Sequence, residues 1–354
     1  MARRRIAVAM SGGVDSSVAA LRLVNAGEDV FGVMLRLWNH GPEQENRCCT
    51  PRDLANARSI AADLNIPFYV LDAKDRFKSE VVDTFIDGYA QGMTPNPCIA
   101  CNQRIRWGYL LRRSMAMGAT HLATGHYAIV EKLNGQRRLC RAVDRSKDQS
   151  YVLHMLNQEQ LSRAIFPLGN LHKTDVRAYA AKHDLSVADR EDSQDLCFLG
   201  QMDYRSFLDL QQIPFMDPGP IVDTRGTIIG EHHGLASYTI GQRKGIEIPA
   251  REPFYVISKD LSRNALIVGH REDLGRRQFS VGKLNWIQGA APLDVNTLSV
   301  QVRYKASPVQ ATISKSLHNR VEVHLSESLA DITPGQWAVF YDGDICLGGG
   351  MILP

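Results

Sequence analysis

Short apolar runs alternate with helical spacings over the first third of the chain. Ile6–Met10 is an apolar run, and Val14 to Asn25 follows with helical periodicity. Asp29–Leu37, rich in Val, Phe and Leu, predicts a second strand. Between Asp53 and Leu64, the residues Leu54, Ala57, Ile60, Ala61 and Leu64 fall on one helical face. Pro67–Leu71 predicts a third strand, Ile105–Met117 a helix and His121–Thr124 a fourth strand. Strands separated by helices imply right-handed crossovers, so this part predicts an α/β domain with a parallel sheet covered on both faces.

The pattern changes near residue 200. A helical stretch over Tyr204–Gln212 ends before Pro214, and the cluster Asp217-Pro218-Gly219-Pro220 follows. Ile221–Val222, Thr227–Ile229, Phe254–Ser258 and Ala265–Gly269 then read as short strands, with Asp223-Thr224-Arg225-Gly226 as a turn. A further block opens near Gln278 and continues through Leu298–Tyr304, Val309–Ser314, Arg320–Leu325, Trp337–Tyr341 and Ile345–Met351. Asp342-Gly343 is a hairpin signal between the last two. Strands this short and this closely spaced predict a small closed barrel. The expected division is 1–203 for the α/β domain, 204–274 for a small mixed or β-rich central domain and 275–354 for a β-barrel.

Composition narrows the class. The chain has 354 residues, 44% hydrophobic and 22% charged, which excludes a wholly disordered or fibrous protein. No run of about 18 uncharged apolar residues occurs, so no membrane partner or span is expected. The start is basic and then apolar, as in a signal peptide, but the apolar run breaks at Ser11-Gly12-Gly13, and a cytoplasmic protein is expected. A formal charge of +3 does not by itself imply nucleic acid. The 7 cysteines (48, 49, 98, 101, 140, 197 and 346) are odd in number, which argues against a disulfide framework and for buried, metal-bound or reactive thiols.

Two clusters carry candidate chemistry. Ser11-Gly12-Gly13-Val14-Asp15-Ser16-Ser17 joins the first strand to the first helix. Its glycines permit close backbone approach, and the helix N-terminus offers unpaired N–H groups to an anion. It has neither the Gly-Lys-Ser/Thr of the common nucleotide loop nor a Gly-x-Gly-x-x-Gly fingerprint. The string resembles the PP-loop of the ATP pyrophosphatase superfamily, whose members cleave ATP between the α and β phosphates. In Thr94-Pro95-Asn96-Pro97-Cys98-Ile99-Ala100-Cys101-Asn102, Cys101 is expected near a helix start, where the dipole and Arg104 and Arg106 favour a thiolate. The Cys-x-x-Cys spacing also fits half a zinc site with Cys48-Cys49, or a redox pair. Cys140 and Cys346 read as packing residues. His232-His233 reads as two side chains on opposite strand faces rather than a metal pair.

Taken with Asp192-Ser193-Gln194-Asp195-Leu196-Cys197-Phe198-Leu199-Gly200, Ala-Thr-Gly-His-Tyr (123–127), Lys-Asp-Gln-Ser-Tyr (147–151), Gly-Glu-His-His-Gly-Leu (230–235), Thr-Ile-Gly-Gln-Arg-Lys-Gly (239–245) and Cys-Leu-Gly-Gly-Gly (346–350), the chain resembles the tRNA-specific 2-thiouridylase (MnmA) family along nearly its whole length. The resemblance implies an adenine nucleotide alpha hydrolase-like catalytic domain that adenylates the C2 oxygen of the wobble uridine and replaces it with sulfur. It implies Cys197 as persulfide carrier, Cys101 as nucleophile and a transient disulfide between them. ATP, with Mg2+, would contact Ala9, Met10, Ser11, Gly12, Gly13, Val14, Asp15, Ser16, Leu35 and Gly125. Asn96, Pro97, Cys98, His126, Lys147, Asp148, Gln149, Arg303, Tyr304 and Gln336 would face tRNA. Some members have Asp where this chain has Cys98, so an acid/base role there is open.

Implied partners are tRNAs with Lys, Glu and Gln acceptors, a persulfide donor (a cysteine desulfurase or relay protein) and a reductant; no resident metal is implied. In that context three basic clusters read as phosphate contacts: Arg137, Arg138, Arg141, Arg145 and Lys147; Arg271, Arg276, Arg277 and Lys283; and Arg303, Lys305, Lys315 and Arg320. The competing reading is a PP-loop ligase that transfers nitrogen to an adenylated small-molecule carbonyl.

Overall fold

The computed structural model describes residues 4–40, 46, 49–190, 196–292, 298–315 and 319–354. Cys48, the 192–195 part of the Cys197 motif and the Lys315 side chain lie outside what is described. The first sheet contains β1 (Arg5–Ala9), β2 (Asp29–Arg36), β3 (Phe68–Asp72) and β4 (His121–Ala123). A hairpin, β5 (Ile129–Leu133) and β6 (Gln136–Cys140), precedes its last strand, β7 (Ala164–Ile165). The sheet order is β3-β2-β1-β4-β7 and all its pairings are parallel.

β1 is central, and Ile6, Ala7 and Val8 have no exposed surface. Alternate side chains serve opposite layers. Ile6 and Val8 pack with Val18 and Leu21 of α1 (Val14–Asn25), Ile60 of α2 (Pro51–Asp63) and Val176. Ala7 instead joins Phe31, Trp107, Leu110 and Leu153 on the other face. The chain leaves β1 towards β2 on one side and reaches β4 on the other. A ligand crevice therefore opens at the carboxyl ends of β1 and β4.

Two features depart from expectation. The helix expected from Ile105 starts at Pro97, where the Asn96 side chain accepts from the Cys98 N–H at 3.1 Å. Widened i→i+5 turns over Cys101–Leu110 shift the apolar phase, and this hides the first turns from a 3.6-residue period. The β5–β6 hairpin is also absent from the hydrophobic pattern, because Glu131, Lys132, Gln136, Arg137 and Arg138 dominate it.

In the middle of the chain, β8 (Gly219–Val222), β9 (Ile228–His232), β10 (Tyr255–Asp260) and β11 (Ala265–Gly269) form a four-stranded sheet in the order β10-β11-β8-β9. His232 is buried and His233 exposed, as strand alternation requires. The His232 ring bonds the Asn264 carbonyl at 2.9 Å and accepts from the Gly234 N–H at 3.0 Å.

The last block holds β12 (Arg276–Trp286), β13 (Leu298–Gln301), β14 (Val309–Lys315), β15 (Val321–Leu329), β16 (Trp337–Asp342) and β17 (Ile345–Ile352). Their order is β12-β15-β14-β13-β16-β17, and β12 pairs with β17 to close the barrel. β17 also pairs with β6, so the hairpin of the α/β domain continues the barrel sheet. Leu139 and Leu153 share a core with Val339, Tyr341 and Cys346. Burial pushes the Cys140 and Cys346 thiols up to about 11 and about 12, consistent with packing residues. Among the described residues, no helix is long and apolar enough to cross a membrane.

His154 lies at this junction with no exposed surface. Its Nδ1 donates to the Tyr151 carbonyl at 2.7 Å, its Nε2 has no hydrogen-bond partner, and its own carbonyl accepts from Asn285 of β12 at 2.8 Å. Burial lowers its pKa to about 4. The unfolded chain therefore binds a proton that the folded chain refuses between roughly pH 6.5 and 4. Stability is expected to fall as pH drops through that window, by about 2 kcal/mol from this group between pH 8 and pH 5. Urea denaturation at the two pH values checks this, and a His154→Leu variant should lose that share of the slope.

Candidate active site

The phosphate loop leaves β1 at its carboxyl end and becomes the first turn of α1. Gly13 is the N-cap residue and makes no side-chain cap bond, so the first-turn N–H groups are not capped by it. Ser16 and Ser17 turn their hydroxyls back to the Gly13 carbonyl at 3.1 and 2.9 Å. Ser16 Oγ also accepts from the Ser11 N–H at 3.1 Å, which draws the loop into a ring. Gly12 has φ +71°, and a Cβ there would stand 2.3 Å from the Asp53 carbonyl oxygen. The loop thus rests on the N-terminus of α2, where Asp53 is fixed by a reciprocal cap with Thr50 at 3.0 and 3.1 Å. Arg190 clamps the contact by donating to the Gly12 carbonyl at 2.9 Å and pairing with Asp53.

The Ala-Thr-Gly-His-Tyr segment after β4 closes the crevice. A Cβ on Gly125 would come within 2.8 Å of the Asp15 and Ser16 backbone, so only glycine allows this approach. Tyr127 donates its hydroxyl to Asp15 at 2.8 Å. His126 is buried, with Nε2 accepting from Arg106 at 3.1 Å and Nδ1 bonded to Thr124 at 2.7 Å. An arginine only donates, so Nε2 accepts and the proton sits on Nδ1. Burial, reinforced by Arg106, lowers the imidazole pKa well below its usual value and keeps the ring neutral. Leu35 lies near the end of β2, paired with Leu71.

Cys101 and Cys197 border one apolar cluster, together with Leu35, Trp38 and Cys49. Its centre is aromatic. Phe198, next to Cys197, packs against Phe85 at 5.3 Å, Phe207 at 5.6 Å and Phe77 at 6.2 Å. Residues a hundred positions apart are thus brought to the same cluster. The helix-dipole expectation for Cys101 needs correction. The helix begins at Pro97, so Cys98 sits in its first turn and Cys101 in its second, where the terminal field has largely decayed. Cys98 and Cys101, three residues apart in a helix, share one face.

Cys98 is exposed and lies near Tyr304 of the barrel, which Asp148 also approaches. Burial, then Asp148 and Cys98, push the Tyr304 hydroxyl up to about 12, so it remains a donor. Gln336 donates to the Thr94 carbonyl at 2.7 Å, and Arg303 donates to the Ile240 carbonyl at 3.0 Å and to Thr333 at 2.7 Å. Asn96, Pro97 and Cys98, the 147–149 segment and the barrel residues Tyr304 and Gln336 therefore meet around one rim. Asp148 is itself buried, accepting from Ala142 N, Ser150 Oγ and Arg141 at 3.0, 2.8 and 3.1 Å. Gln149 accepts from the Tyr127 N–H at 3.0 Å, which links the rim to the phosphate loop.

The first basic cluster needs revision. Arg141 is turned inward: it pairs with Asp148, donates twice to Gln301 at 3.1 Å and lies 3.5 Å over the Tyr341 ring. Gln301 in turn donates to the Arg303 and Tyr304 carbonyls at 3.1 and 2.8 Å. Arg145 pairs with Asp344 at 2.5 Å. Arg271, Arg276, Arg277, Lys283, Lys305 and Arg320 are exposed. Lys173, Arg190 and Gln301 carry no signal in the sequence. Each is a single residue that the fold delivers, without a local motif.

The donor set suits ATP: uncapped N–H groups and a nearby ammonium fit a polyphosphate. The Asp15 carboxylate already accepts from Lys173 Nζ and from the Tyr127 hydroxyl, so Mg2+ would be held by the phosphates and by water. Among the described residues, no group of 3 or more His, Cys, Asp and Glu side chains is placed to hold a metal, and Cys49 Sγ is committed to the Leu37 backbone N–H at 3.3 Å.

These features define a PP-loop catalytic domain carrying two β modules. Family profiles match it in three consecutive stretches: a tRNA methyl transferase HUP domain over residues 4–201, a tRNA methyl transferase PRC-barrel domain over 205–270 and an aminomethyltransferase beta-barrel domain over 276–352. The tRNA-specific 2-thiouridylase MnmA of Chloroflexus aurantiacus is 47% identical over 98% of each chain, and that of Moorella thermoacetica 44% over 98% of each. The Natranaerobius thermophilus protein of the same name is 42% identical over 100% of this chain and 98% of its own. The U34-tRNA thiolase NcsA of Methanococcus maripaludis overlaps 58% of this chain and 64% of its own at 19% identity and TM-score 0.35, too distant to carry function. The chain belongs to the tRNA-specific 2-thiouridylase (MnmA) family.

Proposed function

We propose that this protein is an ATP-dependent tRNA 2-thiouridylase acting at the wobble uridine (position 34). The observation that carries the reading is the meeting of three parts: a phosphate loop at the sheet's switch point, two cysteines on one apolar cluster, and a rim built jointly by the α/β domain and the barrel. A uracil C2 oxygen leaves poorly as oxide or hydroxide. Its attack on the α phosphate of ATP expels pyrophosphate and leaves an adenylated oxygen, which departs as AMP. The terminal sulfur of a Cys197 persulfide attacks C2 and displaces AMP. Cys101 thiolate then attacks the Cys197 sulfur, 2-thiouridine leaves, and a Cys101–Cys197 disulfide remains for a two-electron reductant.

ATP is assigned to Ala9–Ser16, Leu35 and Gly125, with Mg2+ carried on its phosphates. The base is assigned to the rim of Asn96, Pro97, Cys98, Lys147 and Gln149, with Arg303, Tyr304 and Gln336 from the barrel. His126 and Asp148, both buried, hold that rim in shape. The exposed basic residues of 271–283 and of Lys305 and Arg320 suit tRNA phosphates. Lys, Glu and Gln tRNAs, a persulfide donor, a cytoplasmic setting and domain limits at 203/204 and 274/275 complete the proposal.

Incubation with ATP and cognate tRNA tests it: AMP and pyrophosphate should appear. ADP, or no nucleotide product, would count against it. The nitrogen-transferring ligase has no use for a second cysteine on the Cys101 cluster. Unchanged turnover in Cys101→Ser would favour that ligase.

A further inference from the structure

The phosphate loop lacks the lysine that common nucleotide loops carry. Its cation comes from elsewhere in the chain. Lys173 opens the helix Lys173–Lys182, is only 8% exposed, and places Nζ 2.7 and 2.8 Å from the two Asp15 carboxylate oxygens. Its backbone is fixed as well, since the Lys173 N–H donates to Asp144 at 2.9 Å. Asp144 is held in turn by Ser146, whose N–H and hydroxyl donate to it at 3.1 and 2.6 Å. Asp15 lies in the first turn of α1 and is gripped on its other side by Tyr127 at 2.8 Å. An ammonium thus waits beside the loop's N–H groups, aimed by a carboxylate that is itself fixed. A structural salt bridge would be as well served at the surface; here the pair stands at the mouth of an anion site.

We propose that Lys173 is a catalytic residue that binds the departing pyrophosphate. This rests on the adenylation reading above. When the uridine O2 forms its bond to the α phosphorus, the bond from that phosphorus to the bridging oxygen breaks. The electron pair leaves on the β-phosphate oxygen. The Lys173 ammonium hydrogen-bonds that growing charge with no proton transfer, while Asp15 and Tyr127 act as positioning residues. The loop N–H groups stay with the phosphate chain, so lysine's work is weighted towards the leaving half of ATP.

The readout separates that half from the rest. In Lys173→Gln, which keeps a donor for Asp15, the inhibition constant of pyrophosphate should rise by about 30-fold while that of AMP stays within about twofold. The adenylation rate should fall about 100-fold with the KM for tRNA within about twofold. Lys173→Arg keeps the charge on a longer, planar head and should weaken pyrophosphate by only about three- to tenfold. It serves alone if the glutamine variant fails to fold. Pyrophosphate and AMP constants that move together, or a pyrophosphate constant that does not move, would overturn the assignment. Wild-type protein that makes no pyrophosphate would instead overturn the adenylation reading.

Discussion

A Cys197→Ser variant should make no detectable 2-thiouridine, a loss of at least about 1,000-fold, while still releasing AMP and pyrophosphate with tRNA present. A hydroxyl cannot carry a sulfane sulfur, so the transfer step has no donor. The phosphate loop, Lys173, Gly125 and the Tyr127–Asp15 contact are untouched by the change, so adenylation should persist within a few-fold and the adenylated base should be lost to water. Serine fits the half-buried site beside Phe198 without adding volume, and the aromatic packing of Phe77, Phe85 and Phe207 should hold. Chromatography of released nucleotides and mass spectrometry of tRNA nucleosides give the two readouts. Equal loss of both products would mean that Cys197 supports the nucleotide site instead.

The second large effect concerns the loop backbone. Gly12→Ala introduces a Cβ 2.3 Å from the Asp53 carbonyl oxygen at φ +71°. The neighbour is backbone, fixed by the Thr50–Asp53 cap and the Arg190 clamp, so the loop must move rather than Asp53. A left-handed conformation alone costs an L-residue about 1–2 kcal/mol. Moving the loop also turns its N–H groups away from the phosphates, and ATP affinity should drop by about 100-fold or more. Gly27→Ala is the control. Its φ is +77°, but a Cβ there meets nothing within 4 Å. It should lose about 1 kcal/mol of stability and leave ATP binding unchanged. Titration of the nucleotide against both variants, with thermal melts, separates the clash from the conformational cost.

Contiguous features were readable before folding. The phosphate loop is one string at one strand–helix junction, and its chemistry is local. The barrel strands are short contiguous runs between turn residues, and Asp342-Gly343 makes the turn that sets Asp342 opposite Ile345. What stayed hidden depends on contacts between distant residues. Lys173 meets Asp15 across 158 positions, Arg141 meets Gln301 across 160 and Arg190 meets Gly12 across 178. None of these has a local pattern, and Arg141 in a basic run looks like surface until Asp148 and Tyr341 surround it. The β5–β6 hairpin is masked by its charges, yet its pairing with β17 ties the barrel to the α/β domain. The first turns of the 97–116 helix escape the hydrophobic pattern for a physical reason, because wide turns break its 3.6-residue period.

One single-turnover measurement bears on the whole account. The protein is loaded with persulfide at Cys197, freed of reductant, and mixed with ATP and cognate tRNA. Nucleosides and peptides are then analysed from the same tube. The expected result is one Cys101–Cys197 disulfide for each 2-thiouridine formed, with matching AMP. Thiolated tRNA without that disulfide, or the disulfide without thiolated tRNA, would contradict it.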